Sequence, residues 1–264
     1  MRVVILAGGR GRRLGDACDD SPKPMTPIGT EPILWHVMSH CLHHGLSDFV
    51  VALGYGKDAV VRYFVERLTR GRQRVDFDFG RGQLTTDGSA GPPLRLQLVD
   101  TGLDTSKAGR LLRLRSFLDA APFLMTYCDG ISDVDLHALL ATHRRESRTA
   151  TLTAVRPPAR FGRLTLDGPR ALRLQEKQRE GEGWINGGYV VLEPRIFAHL
   201  RDDLDLEGDV LAALAEQGEL AAYRHEGFWE CMDTTHEKRH LNELWNQGTL
   251  PLPRRSWATG RDAL

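Results

Sequence analysis

Short apolar runs alternate with amphipathic stretches along the first half of the chain. Residues 3–6 form a β-branched run that stops at Gly8-Gly9. Residues 33–44 carry Leu34, Val37, Met38 and Leu42 at helical spacing, with Pro32 at the first turn and Gly45 as the stop. Residues 49–53 predict a second strand and residues 58–68 a second helix. Residues 75–79 alternate weakly, whereas 94–99 alternate more clearly. Residues 106–118 read as one helix, and 123–127 as a fully apolar strand ending at Asp129. Ser132 or Asp133 is expected to cap a helix running through Arg145.

The second half changes character. Residues 150–155, 163–166, 171–175 and 189–192 read as strands with few helices between them. A helix at 209–217, a strand at 220–225 and a helix at 236–245 complete the pattern. Strands feeding helices at the front imply a largely parallel sheet with right-handed crossovers. The strand-rich back half suggests a smaller antiparallel layer leaning on it. The expected fold class is α/β, a mostly parallel central sheet with flanking helices and a smaller strand-rich lobe. No linker or repeat divides the chain, so residues 1–250 are expected to form one domain of two lobes, with 251–264 a polar tail that Trp257 could dock. Residues 80–93, rich in Gly, Thr and Pro, read as a loop or arm.

Composition narrows the possible partners. With 264 residues, 41% of them apolar, the chain can bury a sizeable core. Thirty-five basic residues balance thirty-five acidic ones, so no global charge draws the chain to nucleic acid or membrane, and any anion site must come from local clustering. None of the four cysteines forms a CxxC pair, which argues against a zinc finger and suits reduced thiols in a cytosolic protein. The first apolar run is too short for a signal sequence, and no apolar stretch is long enough to span a bilayer. A cytoplasmic, soluble protein is expected.

The chemistry starts after the first strand. In Leu6-Ala7-Gly8-Gly9-Arg10-Gly11-Arg12-Arg13-Leu14, closely spaced glycines let backbone N–H groups approach a polyphosphate, and three arginines add charge. A Walker loop would end in Gly-Lys-Ser/Thr, which is absent. A dinucleotide loop would place its third glycine at Leu14, and no helix follows promptly. An ordinary turn with surface arginines remains the alternative. Downstream, prolines on both sides of Lys23 should hold it in an extended segment, suited to a phosphate contact or to plain solvent exposure. Asp129 sits where an apolar strand meets a loop, the edge at which open α/β sheets bind ligands. Asp233 follows a later strand. Two such carboxylates could hold a magnesium ion on phosphate oxygens, although either could instead cap a helix.

These segments occur in one order with Gln175-Glu176-Lys177, Ile185-Asn186-Gly187-Gly188 and Met232-Asp233-Thr234, and in that order the chain resembles the sugar-phosphate nucleotidyltransferases. Pro32-Ile33-Leu34-Trp35-His36, Val99-Asp100-Thr101-Gly102, Gly109-Arg110-Leu111 and Gly227-Phe228-Trp229 look like the glucose-1-phosphate cytidylyltransferase branch in particular. The resemblance spans residues 1–245 and implies a Rossmann-like nucleotidyltransferase fold. It implies that Gly8, Gly9, Gly11, Arg12 and Arg13 cradle the triphosphate of CTP, and that Lys23 and Arg110 contact the same nucleotide. Asp129 and Asp233 would hold magnesium. Glu176, Asn186 and Gly187 would line the sugar pocket, and Lys177 would bind the sugar phosphate. Lys23, Arg13, Asp129 and Lys177 would carry catalysis. Relatives tend to self-associate, so a homo-oligomer is expected.

The chain departs from the family pattern at four places: Arg12 stands for a usual threonine, Ser21 for a lysine, Cys128 for a glycine and Gln178 for a proline. These leave UTP or dTTP, and a non-catalytic sugar-nucleotide-binding paralogue, as alternatives; Leu14 argues against a nicotinamide-dependent oxidoreductase. His36, His40, His43 and His44 on one helix read as a solvated face rather than a metal site. Cys128 and Cys231 read as small buried residues, and Trp229 and Phe228 as core or as ligand-stacking groups.

Overall fold

The computed structural model describes residues 1–11, 21–87, 94–157, 163–167, 170–175 and 183–252. In chain order the first half contains β1 (Arg2–Leu6), β2 (Pro27–Ile28), β3 (Glu31–Pro32), α1 (Ile33–His43), β4 (Asp48–Leu53), α2 (Lys57–Thr69), β5 (Val75–Asp78), β6 (Gln83–Thr86), β7 (Arg95–Asp100), α3 (Lys107–Arg113), α4 (Arg115–Leu118), β8 (Phe123–Tyr127), β9 (Gly130–Ser132) and α5 (Leu136–Glu146). The second half contains β10 (Ala150–Val155), β11 (Arg163–Asp167), β12 (Arg170–Gln175), β13 (Ile185–Leu192), α6 (Ala212–Glu216), β14 (Leu220–His225), β15 (Trp229–Cys231) and α7 (Thr235–Asn246).

One seven-stranded sheet, in the order β14-β10-β13-β8-β1-β4-β7, organises the molecule. Strands β8, β1, β4 and β7 run parallel, as do β10 and β14, while β13 lies antiparallel to both of its neighbours. The inner strands are buried on both faces, which is why they read as continuous apolar runs rather than alternating ones. Val3, Ile5, Phe49 and Val51 pack under α1 on one face, and Val4, Val50, Leu111 and Met125 pack with α3 on the other. Parallel strands β1 and β8 end together, so the loops after Leu6 and Tyr127 emerge side by side.

The structure redistributes the second half. Strands β10, β13 and β14 join the central sheet instead of forming a separate antiparallel layer, because their apolar residues complete the same two cores. The β11–β12 hairpin pairs apart from that sheet, as does β15, which joins β9. The expected loop at 80–93 begins as a β5–β6 hairpin; residues 88–93 lie outside the described residues. The helix expected at 106–118 breaks at Leu114 into α3 and α4, with Ser106 capping the first through Gly109 N. Helix α5 is capped by Asp135, not by Ser132 or Asp133. Ser132 is instead paired in β9, and Asp133 accepts a 2.7 Å hydrogen bond from Phe228 N. The helix expected at 209–217 starts as a π-helical turn over Leu206–Leu211 before α6. Trp257 lies outside the described residues.

Of the histidines on α1, His43 is exposed as expected but His36 and His40 are not part of a solvated face. His36 and His40 are 5% and 4% exposed, and their Nε2 atoms meet the Ile28 and Val134 carbonyls at 2.8 and 2.9 Å. Helical spacing placed them together, but their stripe is the one turned toward the core. Burial, reinforced by neighbouring His44 and further by His43 and His225, pushes His40 down to about 4. Its folded value lies below the ordinary histidine range, so the neutral ring's contribution is intact above about pH 6.5 and is lost as pH falls through about 4. The difference corresponds to stability on the order of 3 kcal/mol. His40→Gln keeps an N–H donor near the Val134 carbonyl but cannot titrate. Urea midpoints measured between pH 7 and pH 4 should therefore fall less steeply for the variant; parallel pH profiles would show that His40 does not control this acid limb.

Candidate active site

Strand ends on the C-terminal side of β1 and β8 open into a cleft of about 1680 Å³. The glycine loop forms one wall. A Cβ on Gly8 would lie 2.2 Å from the Arg110 guanidinium, so the close approach of that side chain requires glycine. Gly9 has nothing within 4 Å on its Cβ side and leaves room against the backbone, as a phosphate needs. Gly11 follows, also lining the cleft. Arg10 also lines the cleft and pairs with Asp104 at 2.8 Å.

Arg110 explains why this loop holds its shape. It is 4% exposed, and its guanidinium donates to Gly8 O, Leu53 O, Gly102 O, Leu103 O and Thr101 Oγ1 at 2.7–3.2 Å. These acceptors come from the ends of β1, β4 and β7, three adjacent strands. One planar fork therefore ties the glycine loop to the next two strand ends. Burial and the adjacent Arg113 hold its pKa below the ordinary arginine value. The resemblance gives Arg110 a nucleotide contact; in the ligand-free fold it lines the cleft while its donors are spent on the loop's supports.

A short ladder brings the two carboxylates together. β9 pairs antiparallel with β15, Gly130 opposite Cys231 and Ser132 opposite Trp229, and Met232 N donates to Asp129 O at 2.9 Å. Asp129 precedes one strand and Asp233 follows the other, so the register sets them at the same end of the ladder. Asp233 is held further by a capping box on α7: Glu237 accepts from Asp233 N and Thr234 N at 2.7 and 2.9 Å, and Thr234 Oγ1 accepts from Glu237 N. This locks the backbone that carries the carboxylate.

Lys23 completes the group. It opens a 3-10 turn, Lys23–Met25, rather than the extended segment its flanking prolines suggested, with Pro24 buried inside the turn. Its ammonium lies 2.6 Å from Asp129 Oδ2 and 2.6 Å from Asp233 Oδ1. Burial alone would lower its pKa, but the two carboxylates outweigh burial and hold it well above the ordinary lysine range. The ligand atoms of Asp129, Cys231 and Asp233 lie within 4.8 Å of one another, a set able to hold a divalent cation. Burial and the adjacent Asp129 and Asp233 push the Cys231 thiol up, so the two carboxylates are the hard donors of the set. Burial, then Asp129, likewise raises the Cys128 thiol.

The opposite wall comes from β13. Asn186 and Gly187 line the cleft, and Asn186 Oδ1 accepts from Gly188 N at 2.9 Å. Trp229 donates from Nε1 to Gly187 O at 2.8 Å, joining this wall to the strand that leads to Asp233. Gly8, Gly9, Gly11, Lys23, Arg110, Asp129, Asp233, Asn186 and Gly187 thus all face one cleft. Arg12, Arg13, Glu176, Lys177 and Gln178 lie outside the described residues. Two contributors were not singled out from the sequence. Glu237 was legible, because Thr234-Thr235-His236-Glu237 has capping-box spacing. Lys107 was not: it lines the cleft, pairs with Glu207 at 2.6 Å and sits over the Tyr127 ring, contacts that only the fold creates.

The family described as Nucleotidyl transferase matches residues 2–235. The chain belongs to this family. Among nucleotidyl transferases it is 36% identical over 258 residues to the probable glucose-1-phosphate cytidylyltransferase of Bacillus subtilis (strain 168), covering 94% of this chain and 97% of the relative. It is 38% identical over 253 residues to the glucose-1-phosphate cytidylyltransferase of Salmonella typhi, covering 95% and 98%. HddC from Yersinia pseudotuberculosis has the same fold, with a TM-score of 0.68 and 20% identity over 92% of this chain and 99% of that one. Among the described residues of this nucleotidyl transferase, no helix is long and apolar enough to cross a membrane.

The clamp role of Arg110 makes a prediction that needs no ligand. Arg110→Met strands several buried carbonyls, each worth about 1–3 kcal/mol when left unmade. The ligand-free variant should unfold at clearly lower urea, by about 2–4 kcal/mol in total once the loop relaxes. An unchanged midpoint would leave Arg110 with a ligand-facing role alone.

Proposed function

We propose that this chain joins CTP to a sugar 1-phosphate, glucose 1-phosphate or a related sugar or cyclitol phosphate, and releases a CDP-sugar and pyrophosphate. The observation that carries this reading is the meeting of Lys23, Asp129 and Asp233 beside the glycine loop, in one cleft with Asn186 and Gly187. The B. subtilis and S. typhi relatives, matched over nearly their whole length, bear the corresponding name.

In this reading the glycine loop receives the triphosphate on its backbone N–H groups, with Arg12 and Arg13 adding charge. A phosphate oxygen of the sugar 1-phosphate attacks the α-phosphorus in line. The bond from that phosphorus to the β-phosphate bridging oxygen breaks, and pyrophosphate leaves. The attacking oxygen is already ionised near neutral pH, so no general base is needed. Positioning and neutralisation of charge supply the rate.

Asp129 and Asp233 would hold Mg²⁺, which when bound neutralises phosphate oxygens. Their carboxylates fit a hard cation, and Lys23 marks the place where positive charge is stabilised between them. When phosphates enter, the Lys23 ammonium turns from the carboxylates to the nucleotide. On the β13 side, Asn186, Gly187 and Glu176 receive the sugar hydroxyls and Lys177 its phosphate. The enzyme is expected to act in the cytoplasm as a homo-oligomer, without nucleic acid or membrane partners. Exposed Phe77 and Phe79 on the β5–β6 hairpin, with Val61, Val65 and Leu68 along α2, supply apolar surface for self-association.

A matrix of nucleoside triphosphates against sugar 1-phosphates, read by pyrophosphate release, tests the reading. CTP with Mg²⁺ should give the highest rate, and a chelator should abolish it. A purine preference, or full rate in chelator, would sink it.

Asp129→Asn and Asp233→Asn should each lower kcat by roughly 10²–10³ or more, the scale of losing one aimed transition-state group, while circular dichroism stays folded. Near wild-type turnover in either folded variant would remove the metal assignment.

A further inference from the structure

At the β14 edge of the central sheet, next to the wall carrying Asn186, two guanidiniums share one indole. Arg156 lies 4.8 Å from the Trp184 ring centroid and Arg224 lies 5.6 Å from it. The sheet register accounts for the grouping. Ala154 pairs with Asn186 on one side and with Arg224 on the other, so these three share a face. Trp184 is two residues before Asn186, and Arg156 is two residues after Ala154 on a strand that Pro157 keeps extended. All of them therefore project from the face to which Asn186 belongs. Pro157, Ile185 and Asn186, the immediate neighbours of this cluster, line the cleft.

The charge on this cluster is not answered by any carboxylate among the described residues. Among the described residues neither Arg156 nor Arg224 forms an ion pair with a carboxylate, although most other basic groups around the cleft do, Lys23, Arg10 and Lys107 included. Arg156 is half-buried, and its Nε is a buried donor with no hydrogen-bond partner among the described residues. Two cations beside one ring repel each other, and a buried unmade N–H is costly. The Trp184 ring attracts both cations through its face but offers no acceptor for the Arg156 Nε–H. An anion would satisfy both the charge and the unmade donor.

We propose that Arg156, Trp184 and Arg224 form a subsite for a second anionic group, a carboxylate or a further phosphate, on the sugar 1-phosphate substrate. The inference rests on the nucleotidyl-transfer reading and specifies its sugar: an acidic sugar 1-phosphate is the better substrate. Catalysis remains with the cluster around Lys23, and the arginines act only on the distal end of the sugar, with Trp184 holding them in place.

Calorimetric binding and pyrophosphate release are both measured, with CTP and Mg²⁺ in the second, for α-D-glucose 1-phosphate, α-D-glucuronic acid 1-phosphate and α-D-glucose 1,6-bisphosphate. Charge-assisted hydrogen bonds from two guanidiniums should favour an acidic sugar over glucose 1-phosphate by roughly tenfold or more, and the preference should shrink as salt rises. Whichever acidic sugar is preferred identifies the group as carboxylate or phosphate. Arg156→Gln and Arg224→Gln should each erase most of the preference by lowering affinity for the acidic sugars. Arg156→Lys, which keeps the charge but not the fork, should fall between. Equal affinity of the wild type for acidic and neutral sugars, or variants that weaken all three alike, would overturn the subsite. A preserved binding preference with no pyrophosphate from any sugar would support the subsite and overturn the nucleotidyl-transfer reading instead.

Discussion

Two carboxylates held within 4.8 Å of each other repel, by roughly 3–4 kcal/mol at an effective dielectric constant of about 20. Asp129 and Asp233 are nonetheless fixed in that position, one by the β9–β15 ladder and the other by the capping box on α7. A cation between them makes the arrangement tolerable, and in the fold Lys23 provides it. This three-way ion pair ties the start of the chain to its middle and to its last helix. The same electrostatic demand that Lys23 meets in the resting protein is the demand a divalent cation and an incoming triphosphate would meet during reaction. The resting site therefore already gathers dense negative and positive charge at one point between fixed backbone segments.

Arg110 plays the corresponding part for the glycine loop. A loop that must leave its own N–H groups free for an anion cannot use them to hold itself in place. The loop is fixed instead through its carbonyl side: Gly8 O accepts from Arg110, which also grips Leu53, Gly102 and Leu103. Burying a charged guanidinium would be unfavourable without such acceptors, and buried carbonyls would be unfavourable without the donors. The two liabilities cancel, and open space remains beside Gly9.

Most elements were legible in the sequence because local patterns report local structure. The apolar runs that became β1, β4 and β8 and the helical stripe of α1 lie within a residue or two of their expected bounds. Errors fell where a contact from elsewhere decided the outcome. Helix α3 ends at Leu114, and Asp133 forgoes the expected cap to bond Phe228, 95 residues away. His36 and His40 were placed on one helix face correctly, but which face met the core depended on Ile28 and Val134, carbonyls of other segments. The back-half strands were recognised as strands, yet their membership of the main sheet required partners that no local pattern names.

The sequence by itself determined the local chemistry: a glycine loop after a strand, a lysine bracketed by prolines, aspartates at two strand ends, and the family to which their order points. Those are properties of residue type and spacing, and backbone stereochemistry converts them directly into strands, turns and caps. The tertiary structure alone decided which of these groups touch. It set Lys23 between two aspartates 106 and 210 positions further along the chain, made Arg110 the clamp of the glycine loop, and gathered Arg156, Trp184 and Arg224 around one ring. The reason is physical. Charge pairing and close packing act through distances in space, and along a chain of this length those distances are fixed by sheet order and register rather than by separation in sequence.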